Sequence, residues 1–345
     1  MTGLLLLALA AAVVPHDDSL AARIRERIAT VPGAEVGVAF HRLGHNDTLY
    51  LNADSAFHAA STMKVPVMIE LFRQIDAHGL SLDQRILLVN QFGSIVDGSL
   101  YALDPGDDSD SAMYRMVGER VSVRDLMFHM ITRSSNLATN ALIALVGAAR
   151  TEATMRTLGA MRIRVLRGVE DQKAFDQGLN NTTTARDLAI ILEAIQENRA
   201  ASPASCAMMR DILLHQEFND AIPAGLPAGT PVAHKTGDIT GVYHDAAIVY
   251  PKGGDPYVLV VLTRGIPDHA VARSLIADIS RLVYEHVTAA PPGAGGPGRP
   301  PGPPPAPPAP PRRHHRAALA GDGKNFSILQ RILATVWPAA FQCLR

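Results

Sequence analysis

Apolar residues recur at helical spacing at Leu20, Ile24 and Ile28, behind Asp17 and Asp18, so the first amphipathic helix ends before Pro32-Gly33. Two strand-like runs follow, at 35–41 and 48–52. Gly44-His45-Asn46-Asp47 separates them and reads as a hairpin turn. From Ser61, the apolar positions Val65, Ile69, Phe72 and Ile75 mark a helix ending near Gly79. Pro66 would lose an intrahelical hydrogen bond deep inside that helix, so the helix begins close to Ser61. The middle of the chain is helical. Ser122-Val123-Arg124-Asp125 has the form of a capping box, the run 137–146 stops at Gly147, and Thr184-Ala185-Arg186-Asp187 caps 188–196. Strand patterns return at 232–236, 246–250 and 257–264, and 271–287 is a long amphipathic helix. Strands at both ends with helices between them predict one sheet domain interrupted by a helical insertion.

Composition sets limits on this picture. The chain has 345 residues, 47% apolar and 19% charged, enough to bury a full core. A net charge of -1 gives no electrostatic reason to expect nucleic acid or an anionic membrane as partner, and a small neutral or zwitterionic ligand fits better. The run 4–14 is continuously apolar and is followed by Pro15 and His16-Asp17-Asp18, like a signal peptide, although Met1-Thr2-Gly3 lacks the usual basic start. It is too short to span a bilayer. The expectation is a secreted or periplasmic monomer without a stable membrane span. Its predicted parts are a signal at 1–15 and a catalytic domain at 16–288, with a sheet part at 16–60 plus 205–288 and a helical part at 61–204. After the domain the composition turns to Pro and Gly, giving a linker at 289–316. A tail at 317–345 carries Phe326, Leu329, Ile332, Leu333 and Val336 at helical period, and its role is open. Cys206 and Cys343 are the only cysteines, and no structural disulfide is expected.

Only 5 of the 32 basic residues are lysines, and two of these, Lys64 and Lys235, fall inside short motifs. Arg holds its proton too tightly for proton transfer, whereas a desolvated Lys can be tuned. Ser61 and Lys64 in Ser61-Thr62-Met63-Lys64 are three apart, which on a helix pairs a nucleophile with a candidate base. Roughly one Ser-x-x-Lys arises by chance in a chain this long. Two further triplets change the weighing: Ser134-Ser135-Asn136 before a helix, and Lys235-Thr236-Gly237 at the end of a strand.

In this order the three motifs resemble the signature of penicillin-binding proteins and class A β-lactamases, and the resemblance covers roughly residues 19 to 287. It implies an α+β fold: a mainly antiparallel five-stranded sheet flanked by helices and interrupted by an all-helical subdomain. It also implies site roles. Ser61 is acylated, Lys64 helps take its proton, and Ser134 delivers a proton to the lactam nitrogen. Lys235, Thr236 and Gly237 bind the ring carboxylate, Asn136 contacts the acyl side chain, and the amides of Ser61 and Asp238 form the oxyanion hole. The expected reaction is hydrolysis of a small β-lactam, with no cofactor and no metal. A D-alanyl-D-alanine peptidase or transpeptidase and a non-hydrolysing binding module are the alternatives.

The chain departs from the family pattern at several points. Ser135 stands where Asp is common, and Asp238 puts a negative charge beside the carboxylate site. Arg167-Gly168-Val169-Glu170-Asp171 occupies the loop that supplies the family's deacylating Glu. Glu170 is the candidate base and Asp171 the next, against a plain loop carboxylate paired with Arg167. Asp104-Pro105-Gly106-Asp107-Asp108-Ser109-Asp110 lacks the spacing of a calcium loop and reads as a solvated insertion. His234 and His244 read as packing residues, and no His-x-His-x-Asp zinc pattern occurs.

Overall fold

The computed structural model describes residues 19–289. The expected signal at 1–15 and tail at 317–345 lie outside them, as does the expected linker beyond Ala289, which still belongs to the last helix. Helix α1 (Leu20–Ala29) opens the described chain, capped by the Ser19 side chain. Strands β1 (Glu35–Arg42) and β2 (Asp47–Leu51) form the expected hairpin. Helices α2 (Lys64–Asp76), α3 (Val123–Thr132), α4 (Asn136–Val146), α5 (Ala148–Thr157), α6 (Gln172–Asp176), α7 (Ala185–Gln196) and α8 (Pro203–Leu214) fill the middle. Strands β3 (Val232–Ile239), β4 (Val242–Val249) and β5 (Tyr257–Arg264) complete the sheet, and α9 (His269–Ala289) closes the domain.

The five strands run in the order β2-β1-β5-β4-β3, every neighbour antiparallel. Successive side chains of a strand face opposite ways, and here both faces are covered. On one face Val38, Phe40, Leu259 and Val261 meet Ile24 of α1 and Leu275, Ile276 and Ile279 of α9. On the other, Ala39, Val258, Val260 and Leu262 join the larger core of the helical layer, with Val65, Met68, Ile69 and Phe72 of α2 at its centre. Residues 64–72 of α2 are all buried, so α2 is the axle of that layer.

The apolar period alone does not single out α5 or α8. α5 buries only Thr151 and Met155 and begins behind Gly147, whose φ of 89° ends α4. α8 carried a readable signal, Ser202 as cap and Pro203 at the first helical position. β4 begins four residues before its expected start. Tyr243, His244 and Asp245 lie ahead of the apolar run that the strand pattern follows, yet all three are buried.

Candidate active site

Ser61 lies on a tight 3-10 turn, Ala60–Met63, that feeds directly into α2. The turn is pinned from several sides. The Ala59 amide donates to Asn181 O at 2.8 Å, the Ala60 amide to His58 Nδ1 at 3.1 Å, and Thr62 Oγ1 to Ala59 O at 2.5 Å. Ala60 has a φ of 45°, a conformation that costs energy for a side-chain-bearing residue and persists only when its surroundings enforce it. Lys64 is the first residue of α2, one 3-10 turn beyond Ser61 and on its side.

Lys64 is completely buried. Its ammonium donates to Ser134 O at 2.5 Å, Ser134 Oγ at 3.1 Å and Asn136 Oδ1 at 2.8 Å, which occupies all three protons. In this state Lys64 is therefore bonded to the Ser134 loop and not to the Ser61 hydroxyl. Burial brings its pKa down to about 7, against the opposing pull of Asp108 and Glu170. Lys235, also fully buried on β3, donates to the same Ser134 Oγ at 3.0 Å and to Thr236 O at 2.8 Å. Burial and then the Lys64 charge push Lys235 well down as well. With two lysines donating to the lone pairs of Ser134 Oγ, its own proton must point elsewhere. Ser134 holds this place with a φ of 58°.

Gly237 sets how near β3 comes to the nucleophile. A Cβ there would lie 3.1 Å from Thr62 Cγ2 and 3.2 Å from the Ser61 amide nitrogen. Thr236 is buried beside it. Asp238 leans toward α9, with Oδ1 3.0 Å from His269 Nδ1, so the charge expected to sit bare at the carboxylate site has a partner when His269 is protonated. Burial raises the Asp238 pKa, against the pull of His269 and Arg273.

Glu170 reaches the same centre. Its Oε1 accepts from Asn136 Nδ2 at 2.5 Å, so Asn136 joins Lys64 to Glu170. Loss of water around the carboxyl raises the Glu170 pKa. The Asn136 hydrogen bond opposes this, and the Asp108 and Asp107 charges add to it. The loop is stapled on both sides. Asn140 receives the Val169 amide at 2.7 Å and donates to Val169 O at 3.0 Å, while Asn181 takes the Leu166 and Arg167 amides at 2.8 and 3.2 Å. A Cβ on Gly168 would fall 2.4 Å from Asn140 Oδ1, so this position needs glycine.

Asp171, the reserve base, is buried and fully engaged, taking Ser94 Oγ at 2.9 Å, the Ile95 amide at 2.9 Å and the Ala174 amide at 3.2 Å as the cap of α6. Arg167 does not pair with Glu170; it donates to Leu179 O, Gly168 O and Asn180 Oδ1. The acidic run 104–110 is not merely solvated either. Asp108 and Asp110 are buried. Asp108 Oδ2 takes the Asn136 amide at 2.9 Å and the Leu137 amide at 3.0 Å, Ser109 Oγ donates to Arg133 O at 2.7 Å, and Asp110 Oδ2 lies 2.5 Å from His129 Nδ1. Their partners lie 19 to 29 positions away, beyond the reach of any local pattern.

His234 and His244 are fully buried, as packing residues should be. His234 Nδ1 pairs with Asp245 at 2.9 Å. His244 bonds His58 O through Nε2 at 2.9 Å, and burial lowers its pKa to about 4. Among the described residues no group of three or more His, Cys, Asp or Glu is placed to hold a metal ion. Ser61, Asn136, Glu170 and Asp238 line one open cavity of about 680 Å³, with His58 and Phe175 on its wall.

A hydroxyl on a strained turn, two depressed lysines sharing a second hydroxyl, and a carboxylate across the cleft define a serine acyl-transfer enzyme. The chain belongs to the β-lactamase enzyme family, whose profile matches residues 19–287. It is 28% identical over 258 residues to the β-lactamase of Streptomyces albus G, covering 73% of this chain and 80% of that one. To the β-lactamase of Bacillus licheniformis it is 27% identical, covering 72% and 78%. Among solved structures it resembles PBP-A with a TM-score of 0.67 at 28% identity, covering 79% of this chain and 96% of the other. A variant of that protein, L158E, is described as an acyl-enzyme complex with penicillin G. The β-lactamase from Sphaerobacter thermophilus DSM 20745 matches with a TM-score of 0.65 at 29% identity, covering 79% and 98%.

Proposed function

We propose that the chain opens the β-lactam ring of penicillin- and cephalosporin-type antibiotics through an acyl-enzyme on Ser61. The observation that carries this reading is the Ser134 hydroxyl held between Lys64 and Lys235, with Asn136 joining Lys64 to Glu170. Neutral Lys64 takes the Ser61 proton as Oγ bonds to the lactam carbonyl carbon, and the amides of Ser61 and Asp238 receive the developing oxyanion. The C–N bond then breaks. Ser134 gives its proton to the departing nitrogen and is reprotonated from Lys64, which restores the neutral amine. Lys235, Thr236 and Gly237 hold the ring carboxylate. In the second half Glu170 takes a proton from water as that water attacks the ester, and the proton returns to Ser61 Oγ as the acid leaves. The sum is one water added across the amide.

Steady turnover of a chromogenic cephalosporin, abolished in Ser61→Ala, tests the reading, and a stoichiometric burst without turnover would contradict it. A second reading, a cell-wall D-alanyl-D-alanine peptidase, uses the same first half and draws on the likeness to PBP-A. Release of D-alanine from muropeptides beside a trapped penicillin adduct would favour it.

We also propose residues 16–288 as the catalytic domain and 1–15 as an export signal, which would place the enzyme outside the cytoplasm. No helix among the described residues is long and apolar enough to cross a membrane.

A further inference from the structure

We propose that Asp108 is a positioning residue for the acylation and deacylation machinery, supplying from the loop before α3 the buried carboxylate that family members commonly carry in the middle of the second triplet, where this chain has Ser135. The inference rests on the hydrolase reading above.

The end of α4 divides its amides between two side chains. Ser135 Oγ takes the Ala138 amide at 3.2 Å, as an ordinary helix cap does. Asp108 Oδ2 takes the two amides Ser135 does not reach, those of Asn136 and Leu137. A carboxylate at a helix N-terminus also meets the positive end of the helix dipole. Asn136 is thus fixed through its backbone by Asp108 while its side chain holds Lys64 and Glu170. Asp108 is itself anchored, its Oδ1 receiving the Asp110 amide at 3.0 Å, and Ser109 ties the same loop to Arg133 next to Ser134.

The charge acts alongside the geometry. Asp108 is the largest influence holding the Lys64 pKa up against burial, and it also raises that of Glu170. The other charged groups acting here are Glu170 on Lys64, Lys64 on Lys235, and Asp107 and Lys64 on Glu170. The phenol of Tyr114 is itself raised by burial and by the Asp108 charge. The hydrogen bonds from this loop to the α4 amides are those of Asp108.

The test compares Asp108→Asn with Asp110→Asn, which disturbs the same loop at its His129 pair, away from Lys64. Pre-steady-state acylation and deacylation by a penicillin are followed from pH 5 to 9. Asp108→Asn should lower the plateau rates by about 10-fold and move the acid limb of acylation down by roughly half a unit to one unit. The acid limb of deacylation should move the same way, because loss of a neighbouring negative charge favours both neutral Lys64 and ionised Glu170. Asp110→Asn should leave both limbs in place. Unmoved limbs in Asp108→Asn, or equal shifts in both variants, overturn the inference. Should Asp108→Asn not give soluble protein, Asp108→Asn combined with Ser135→Asp is made. Recovery of soluble, acylating protein supports the inference, and failure to recover it contradicts it. A wild-type protein that is never acylated would instead remove the hydrolase reading itself.

Discussion

Two lysines donate to one serine hydroxyl, and at neutral pH their mutual repulsion and burial favour a state in which at least one is uncharged. On the proposed mechanism acylation needs neutral Lys64, and burial brings its pKa to about 7, so the rate should climb with pH through an acid limb centred near 7. Stopped-flow acylation from pH 5 to 9 checks this, and a flat profile would contradict it. Glu170 has the same sign of pH dependence, since on the proposed mechanism it too acts as a base only when deprotonated, and deacylation falls as the pH falls. Its raised pKa places the fall of deacylation above the ordinary carboxylate range. Glu170→Ala should leave acylation largely intact and slow deacylation by roughly 10²- to 10⁴-fold, so that the adduct accumulates. Most of these residues could be named from motifs because each sits in a short run with a fixed chemical job. Asp108 could not, because its partners Asn136 and Leu137 become neighbours only after folding.

At the scale of elements, the site depends on two close approaches. Gly237 lets β3 lie against the Ser61 turn, and on the proposed mechanism this approach brings the Asp238 amide beside that of Ser61. Gly237→Ala should lower acylation by about 10²- to 10³-fold, the scale of losing one oxyanion donor. Its far-ultraviolet circular dichroism should remain that of the wild type. Asn140 on α4 bonds both the amide and the carbonyl of Val169, the residue before Glu170, and so fixes the backbone that carries the proposed base. Asn140→Ala should therefore impair deacylation more than acylation, read as a larger fraction of acyl-enzyme at steady state. Elements with a strong period or a side-chain cap were readable. The β1–β2 hairpin, α3 behind Ser122, α7 behind Thr184 and β5 all lie where the pattern put them. The Ser61 segment shows the limit of such reading. A helix start was expected at the nucleophile, and the chain instead makes a 3-10 turn there and lets Lys64 open α2.

Across the whole molecule, one sheet serves two cores, and this couples the distant α9 to the site. Ile279 on α9 is fully buried against the sheet face opposite α2. Ile279→Ala should cost about 2–5 kcal/mol, and urea unfolding should show the loss as a shifted midpoint with an unchanged slope. Ligand binding and secondary structure should disappear in the same transition, since β3 contributes to both cores and carries Lys235. Acylation of Ser61 is the step on which both half-reactions depend, and time-resolved intact-mass spectrometry with a penicillin observes it. The prediction is an adduct of the full penicillin mass on Ser61 that forms and then decays as penicilloate appears, and that is absent in Ser61→Ala. No adduct on the wild-type protein, or the same adduct on Ser61→Ala, would contradict it.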